Sequence, residues 1–505
     1  MTQSLESIRR LQAWHAGKPL SRGEVLNVHI ADDEDVFIVA FLRMGGESRP
    51  WGVAYGTLAD GPTVLSVPEG RNRSLVGDMI SEFAPALLEF FRHPEYSDDG
   101  PGASMSMPLR QLWMPGQTHI EMLHYLAAAF ARTRWERDDV DTLRALGNLA
   151  NCLFIESQRP GQQSVMSATD ALRRSFVFPT APVRQGHLGH LLAWLTGGNT
   201  RNSRLEAARD AEATSVATVA QPDIERMMLQ PHVSRWNTAI AEDNSGEAQK
   251  ERAEIHRALE KELLVRWNLT KEALSVLEKD SRLPNMGLAS LCEDSKRIFY
   301  DAWGDPVKNE AAGANVFWPN VFTDYSSRSA GYAYQMRIYN DQKARSALVH
   351  GDRELQQEEL AKGRGLICTI DTVDSVDPHW VATWTYPEMP TCKPGDGLVI
   401  AGAAACQLEV LDIDEENHAV ELRPQWKRDK KDLGSLGRAP THTQWIGKQL
   451  VLLESAPSFI GKTKADKARR RNENGNDIAD LVVMRPRRHG ALDDDGVVVL
   501  SGDEQ

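Results

Sequence analysis

The hydrophobic period of this chain changes at Gly363, and that change decides its fold class. Ahead of it, apolar side chains recur at the spacing of one helix face; Ile255, Leu259, Leu263 and Trp267 form one such stripe. Behind it they recur at every second position, in short runs separated by turn residues. A segment of helical period followed by one of strand period predicts an α+β protein.

Residues 1–97 read as a small α+β domain. A helix over Ser7 to Ala16 precedes strands at Val25 to Ile30, Val36 to Arg43, Trp51 to Thr57 and Thr63 to Val67, divided by Asp32-Asp33-Glu34-Asp35, Gly45-Gly46 and Asp60-Gly61-Pro62. These are expected to form a small antiparallel sheet. Two of the strands are too apolar to face water on both sides, and the helix over Leu75 to Phe91, with Leu75, Met79, Phe83 and Leu87 on one face, is expected to cover them.

After a Gly, Ser and Pro-rich loop, residues 109–316 read as a helical domain, with Thr270 as the N-cap of a fresh helix from Lys271. Residues 324–362 read as one long helix striped by Tyr325, Tyr332, Met336 and Tyr339, a packing face rather than a base-stacking platform. Six strands then fall within residues 363–460: Leu366 to Thr372, His379 to Thr385, Gly397 to Ile400, Gln407 to Ile413, Ala419 to Pro424 and Gln449 to Leu453. Regular short strands of this kind predict a small β-barrel. Residues 461–505 form a basic and then acidic tail, with a final strand expected at Leu481 to Met484.

A net charge of −13 excludes a protein that coats nucleic acid through bulk positive charge. The charge is unevenly distributed, however. Residues 364–422 hold eleven acids against two bases, net −9, whereas residues 423–471 hold thirteen bases against four acids, net +9. The basic side chains cluster as Lys427, Arg428, Lys430 and Lys431, then as Lys462, Lys464, Lys467, Arg469, Arg470 and Arg471, with Trp426 and Trp445 near the first cluster. Such clusters attract phosphates, and a neighbouring indole can stack on a base. The alternative is a solvated loop and tail whose bases balance the acidic half of the same barrel.

The order of a charged helix ending over Arg345 to Arg364, a small barrel with Lys393-Pro394-Gly395-Asp396, and the strand Gln449-Leu450-Val451-Leu452-Leu453-Glu454 resembles the stalk and small-barrel accessory region of superfamily 1 helicases. The resemblance spans residues 324–470 and includes no motor motif. It implies an accessory subunit working beside a helicase or nuclease, as in bacterial DNA-processing or antiviral defence systems.

Other motifs fail on their chemistry. Ala456-Pro457-Ser458-Phe459-Ile460-Gly461-Lys462-Thr463 has the outline of a phosphate loop, but Ala456 replaces the first glycine, Pro457 removes a backbone donor, and 42 residues are too few for the remaining βα units. His187 and His190, and likewise His119 and His124, share helices without further ligands, so no metal site is expected. The five cysteines form no CxxC pair and suit a reducing cytoplasm. The N-terminus shows no secretory signal, and Gly397 to Cys406, the longest weakly polar stretch, falls short of the ~20 residues of a membrane helix, so no membrane association is expected. Residues 270–299 suggest a helix-turn-helix, yet the second helix opens with Gly287, Leu288, Ala289 and Ser290, none of which reads base edges.

The expectation is a non-catalytic accessory or interaction subunit of a nucleic-acid-processing or defence complex, without catalytic residues or cofactor, using the 423–471 region on phosphates or an acidic partner. A nucleotide-binding enzyme using residues 456–463 and a scaffold that contacts only protein are the alternatives.

Overall fold

The computed structural model describes residues 2–45, 48–91, 108–303, 327–374, 379–425 and 445–454. Tertiary contacts divide the chain into two units, one holding nearly all of residues 1–305 and the other residues 306–505.

The first unit is built on a five-stranded sheet, as α1 (Thr2–Ala16), β1 (Val36–Leu42), β2 (Gly52–Thr57), β3 (Thr63–Ser66), α2 (Arg73–Phe90), β4 (Gln111–Met114), α3 (Gln117–Phe130), α4 (Val140–Ser157), β5 (Val165–Ser167), α5 (Ala168–Ser175), α6 (Leu188–Thr196), α7 (Arg201–Ala211), α8 (Gln230–Ala241), α9 (Ser245–Glu278) and α10 (Met286–Trp303). Its strand order is β3-β2-β1-β4-β5. β1, β2 and β3 pair antiparallel, whereas β4 lies parallel to β1 and β5 parallel to β4. Two expectations are thereby corrected. The sheet is mixed rather than antiparallel, and the boundary between residues 97 and 109 does not separate a sheet domain from a helical one, because the last two strands come from beyond it. Of the strand expected at Val25 to Ile30 only Val25–Leu26 forms, paired with Leu283–Pro284.

All seven residues of β1 are buried, so helices cover both faces of the sheet. Val36, Ile38 and Leu42 join one core with the α9 stripe Ile255, Leu259, Leu263 and Trp267. Phe37, Val39 and Phe41 join the other with Met79, Phe83 and Leu87 of α2 and with α3 and α4. The expected stripes of α2 and α9 are thus the packing faces, and burial of each large apolar side chain contributes about 1.5–3 kcal/mol. Gly52 permits the approach of α9, since a Cβ there would stand 2.7 Å from Leu263 Cδ1. The N-cap expected at Thr270 is also corrected. α9 runs unbroken through it, and the Thr270 hydroxyl donates to the Arg266 carbonyl at 2.9 Å instead of capping a new helix.

The second unit comprises α11 (Ser327–Gly351), α12 (Arg353–Ala361) and the strands β6 (Gly365–Asp374), β7 (His379–Tyr386), β8 (Gly397–Ile400), β9 (Ala403–Asp414), β10 (Ala419–Pro424) and β11 (Gln449–Glu454). The single helix expected over 324–362 is two, because Asp352 turns extended (φ −133°, ψ 114°) and its carboxylate caps the amides of Glu354 and Leu355. Gly363, at φ +78°, ends α12 with the paired bonds Gly363 N to Leu360 O and Arg364 N to Glu359 O. That left-handed residue is where the hydrophobic period changes.

The six expected strands close into a barrel in the order β6-β7-β10-β9-β8-β11, with β11 returning to pair with β6. Alternate residues fill its interior, Leu366, Cys368 and Ile370 from β6 meeting Trp380, Ala382 and Trp384 from β7. The tail from residue 461, with the strand expected at 481–484, lies outside the described residues.

Candidate nucleic-acid interface

Every neighbouring pair of barrel strands is antiparallel, so the course of the chain assigns each connection to one end of the barrel. β10 finishes and β11 begins at the same end, with residues 426–444 between them; β11 then finishes at Glu454, at the opposite end. In sequence, the first basic cluster, Lys427, Arg428, Lys430 and Lys431, lies between β10 and β11. The second, Lys462 to Arg471, follows β11. These ten residues and Trp426 lie outside the described residues.

Of the expected site residues only Trp445 is described. It is partly buried, its ring centroid 6.2 Å from that of Trp380 at an interplanar angle of 39°, and Lys448 Nζ stands 5.4 Å from its centroid. Barrel core and Lys448 both contact the indole.

Several barrel carboxylates are engaged locally. Glu409 accepts from Gln425 Nε2 at 2.7 Å and lies 4.0 Å from Arg423, Glu421 meets His379 at 3.1 Å, and Asp371 accepts from the Thr383 hydroxyl at 2.7 Å. Asp414 is held by the amides of Glu416 and Asn417, which keep its carboxyl below the usual range together with the Asn417 side chain.

The strand β11 that precedes residues 456–463 belongs to this closed antiparallel barrel. A phosphate loop needs the opposite context, a strand of a parallel sheet leading into a helix whose N-terminus faces the phosphates.

In the first unit, an open sheet of this topology would take a ligand at the C-terminal ends of β1 and β4, where strand order reverses. The chain itself fills that position. Residues 215–220 run along the end of β1, with Arg43 N donating to Thr218 O at 2.6 Å and Ala220 N to Arg43 O at 2.9 Å. Arg266, wholly buried, donates to the Ala217 carbonyl (2.8 Å) and the Ser215 hydroxyl (2.6 Å) and pairs with Glu262 at 2.9 Å. His119 accepts from Phe41 N at Nδ1 (3.1 Å) and donates from Nε2 to Val216 O (2.9 Å). Burial pushes its pKa down to about 3, so the ring is neutral at physiological pH.

The histidine pairs make contacts within the first unit. His119 points inward while exposed His124 packs against Phe154. His187 caps α6 by accepting from His190 N, and His190, 1% exposed, accepts from Trp194 Nε1 at 3.2 Å and faces Glu212 at 2.9 Å. Among the described residues no group of three or more His, Cys, Asp or Glu is placed to hold a metal ion. Burial pushes the thiols of Cys152 and Cys292 up to about 12, a poor setting for a nucleophile. Among the described residues no helix is long and apolar enough to cross a membrane.

Sequence reasoning missed the stacking of Arg73, from α2, on Trp135, its Cζ 4.4 Å from the ring centroid, because no spacing in the sequence links the two.

No family model matches the chain, and neither a curated protein nor a solved structure matches it.

Proposed function

We propose that the protein is a non-catalytic accessory subunit of a bacterial-type nucleic-acid-processing or antiviral defence complex, and that it contacts phosphates through the basic segments flanking its barrel. The observation that carries the reading is the reversal from net −9 to net +9 along the chain at residue 423, the positive residues concentrated in sequence between β10 and β11 and after β11. The local engagement of Glu409, Glu421, Asp371 and Asp414 supports it, because those carboxylates already have partners within the barrel. The filled mouth of the first sheet and the antiparallel context of residues 456–463 support a binding role over nucleotide chemistry. A helicase or nuclease is the partner class that the resemblance of residues 324–470 implies. A reducing cytoplasm suits the five cysteines, none of which is disulfide-bonded.

Salt-dependent binding of a single-stranded oligonucleotide tests the reading. Reversing Lys427, Arg428, Lys430 and Lys431 to Glu, and separately Lys462, Lys464, Lys467 and Arg469 to Arg471, should each lower the slope of log K against log salt by about 0.7 for every phosphate left without its cation. Because the clusters are separate segments of the chain, with β11 between them, the two reductions should add. Unchanged affinity and slope in both variants would remove the proposal.

A further inference from the structure

The sheet of the first unit ends in a strand with an open rim. β3 pairs with β2 on one side and has no strand on the other. Val67 N donates to Trp51 O at 2.9 Å, and the Leu65 carbonyl also faces β2, where a Cβ on Gly52 would stand 3.1 Å from its oxygen. Backbone groups alternate in direction along a strand, so those of Thr63 and Leu65 turn to β2 and those of Val64 and Ser66 turn outward. Among the described residues nothing bonds the outward N–H or C=O of either residue. The other edge of the sheet, β5, is buried throughout.

The order of residues along the rim is self-complementary. The stretch reads Pro62-Thr63-Val64-Leu65-Ser66-Val67-Pro68, with no charged side chain to repel another strand. Set antiparallel to a copy of itself about a two-fold axis at Leu65, Val64 falls opposite Ser66 and Ser66 opposite Val64. Each pair exchanges two N–H···O=C bonds, four in all, and every outward group of both residues is satisfied. Pro62 then stands opposite Pro68 beyond the last bonded pair, so no N–H is left over. A slip of two residues would set a proline against Val64 or Ser66 and leave a carbonyl unpaired. Side chains agree with this register. Val64 packs toward the α9 core and Leu65, half-buried, toward the α2 core, so the two Leu65 side chains meet at the axis and cover each other.

We propose that β3 is a dimerisation edge, on which a second copy of this chain pairs antiparallel through Val64 and Ser66 to continue the sheet across a two-fold axis.

Sedimentation of the full-length chain over a range of micromolar concentrations tests the pairing, and a monomer–dimer equilibrium is expected. Val64→Pro removes an outward donor that no group in the monomer accepts, and proline is tolerated on the free side of an edge strand. It should raise the dimer Kd about thirtyfold, because each dimer loses two of its four donors. Leu65→Cys reads the register and keeps the proposal testable where Val64→Pro fails to fold. Opposed residues of a non-hydrogen-bonded pair have Cα atoms about 4.5 Å apart, within reach of a disulfide. Mild oxidation should therefore link Leu65→Cys into a covalent dimer. Thr63→Cys should give no link, since its two copies would lie about 13 Å apart, and the parent, whose five cysteines are unpaired, sets the background. A chain that stays monomeric throughout overturns the proposal and leaves the rim to a strand of another protein. A dimer in which Leu65→Cys forms no link, or which a folded Val64→Pro leaves as tight as before, overturns it as well and assigns association to another surface.

Discussion

His119 should make the stability of the first unit depend on pH in a way that one substitution removes. Its Nδ1 accepts the Phe41 amide and its Nε2–H donates to the Val216 carbonyl, so the neutral Nε2–H tautomer satisfies both neighbours. Protonation would place a hydrogen on Nδ1 against the Phe41 N–H, two donors facing each other in a site with no exposure to water. Burial is the leading cause of the downward shift to about 3, and Arg266 adds to it. The folded pKa lies below the unfolded value of 6.5, so the unfolded chain binds the proton first as pH falls. The stabilisation is therefore complete above about pH 6.5 and declines toward the folded pKa, at about 1.4 kcal/mol per pH unit. Between pH 7 and pH 5 this one group should remove about 2 kcal/mol.

His119→Gln should be less stable at pH 7, because the Phe41 amide no longer meets a well-placed acceptor, yet it should lack that share of the decline. The assay is hydrogen exchange of β1 peptides from pH 7 to pH 5, corrected for the intrinsic rates and compared between parent and variant. The gap between the two should narrow by about 2 kcal/mol over that range. A gap that stays constant would refute the assignment of a neutral buried ring.

Two further outcomes rest on buried polar groups. Arg266→Met should destabilise the first unit by about 3–5 kcal/mol in urea unfolding, since Glu262 is left without its buried partner and the Ser215 and Ala217 acceptors without their donor. Asp352→Ala should cost about 1 kcal/mol by removing the cap of α12, read as a lower midpoint for the second unit with its barrel circular-dichroism signal intact.

The barrel was legible because each of its signals is local. Strand period, turn residues such as Asp414-Glu415-Glu416-Asn417 and the left-handed Gly363 all lie within a few residues of what they determine, and all six strands form where they are expected. The covering faces of α2 and α9 were legible for the same reason. β4 and β5 were not. Gln-Leu-Trp-Met and Val-Met-Ser are buried throughout, so they show no alternation, and they lie among segments of helical period. Thr270 was misjudged because the same side chain that caps a helix can also bond back to a carbonyl four residues earlier.

The charged and polar side chains divide along the same line. The charge reversal at residue 423 is a property of composition and needs no fold to be seen. Arg73 comes to stack on Trp135 only when α2 packs beside the segment before α4, and His119 becomes a buried acceptor only when β1 lies beside it. Periodicity and charge are written along the chain, whereas the partner of a side chain is chosen by segments far away in sequence. The amino-acid order alone therefore determined the fold class, the barrel strands and the basic segments, and the tertiary structure decided the strands β4 and β5 and which polar groups are already satisfied.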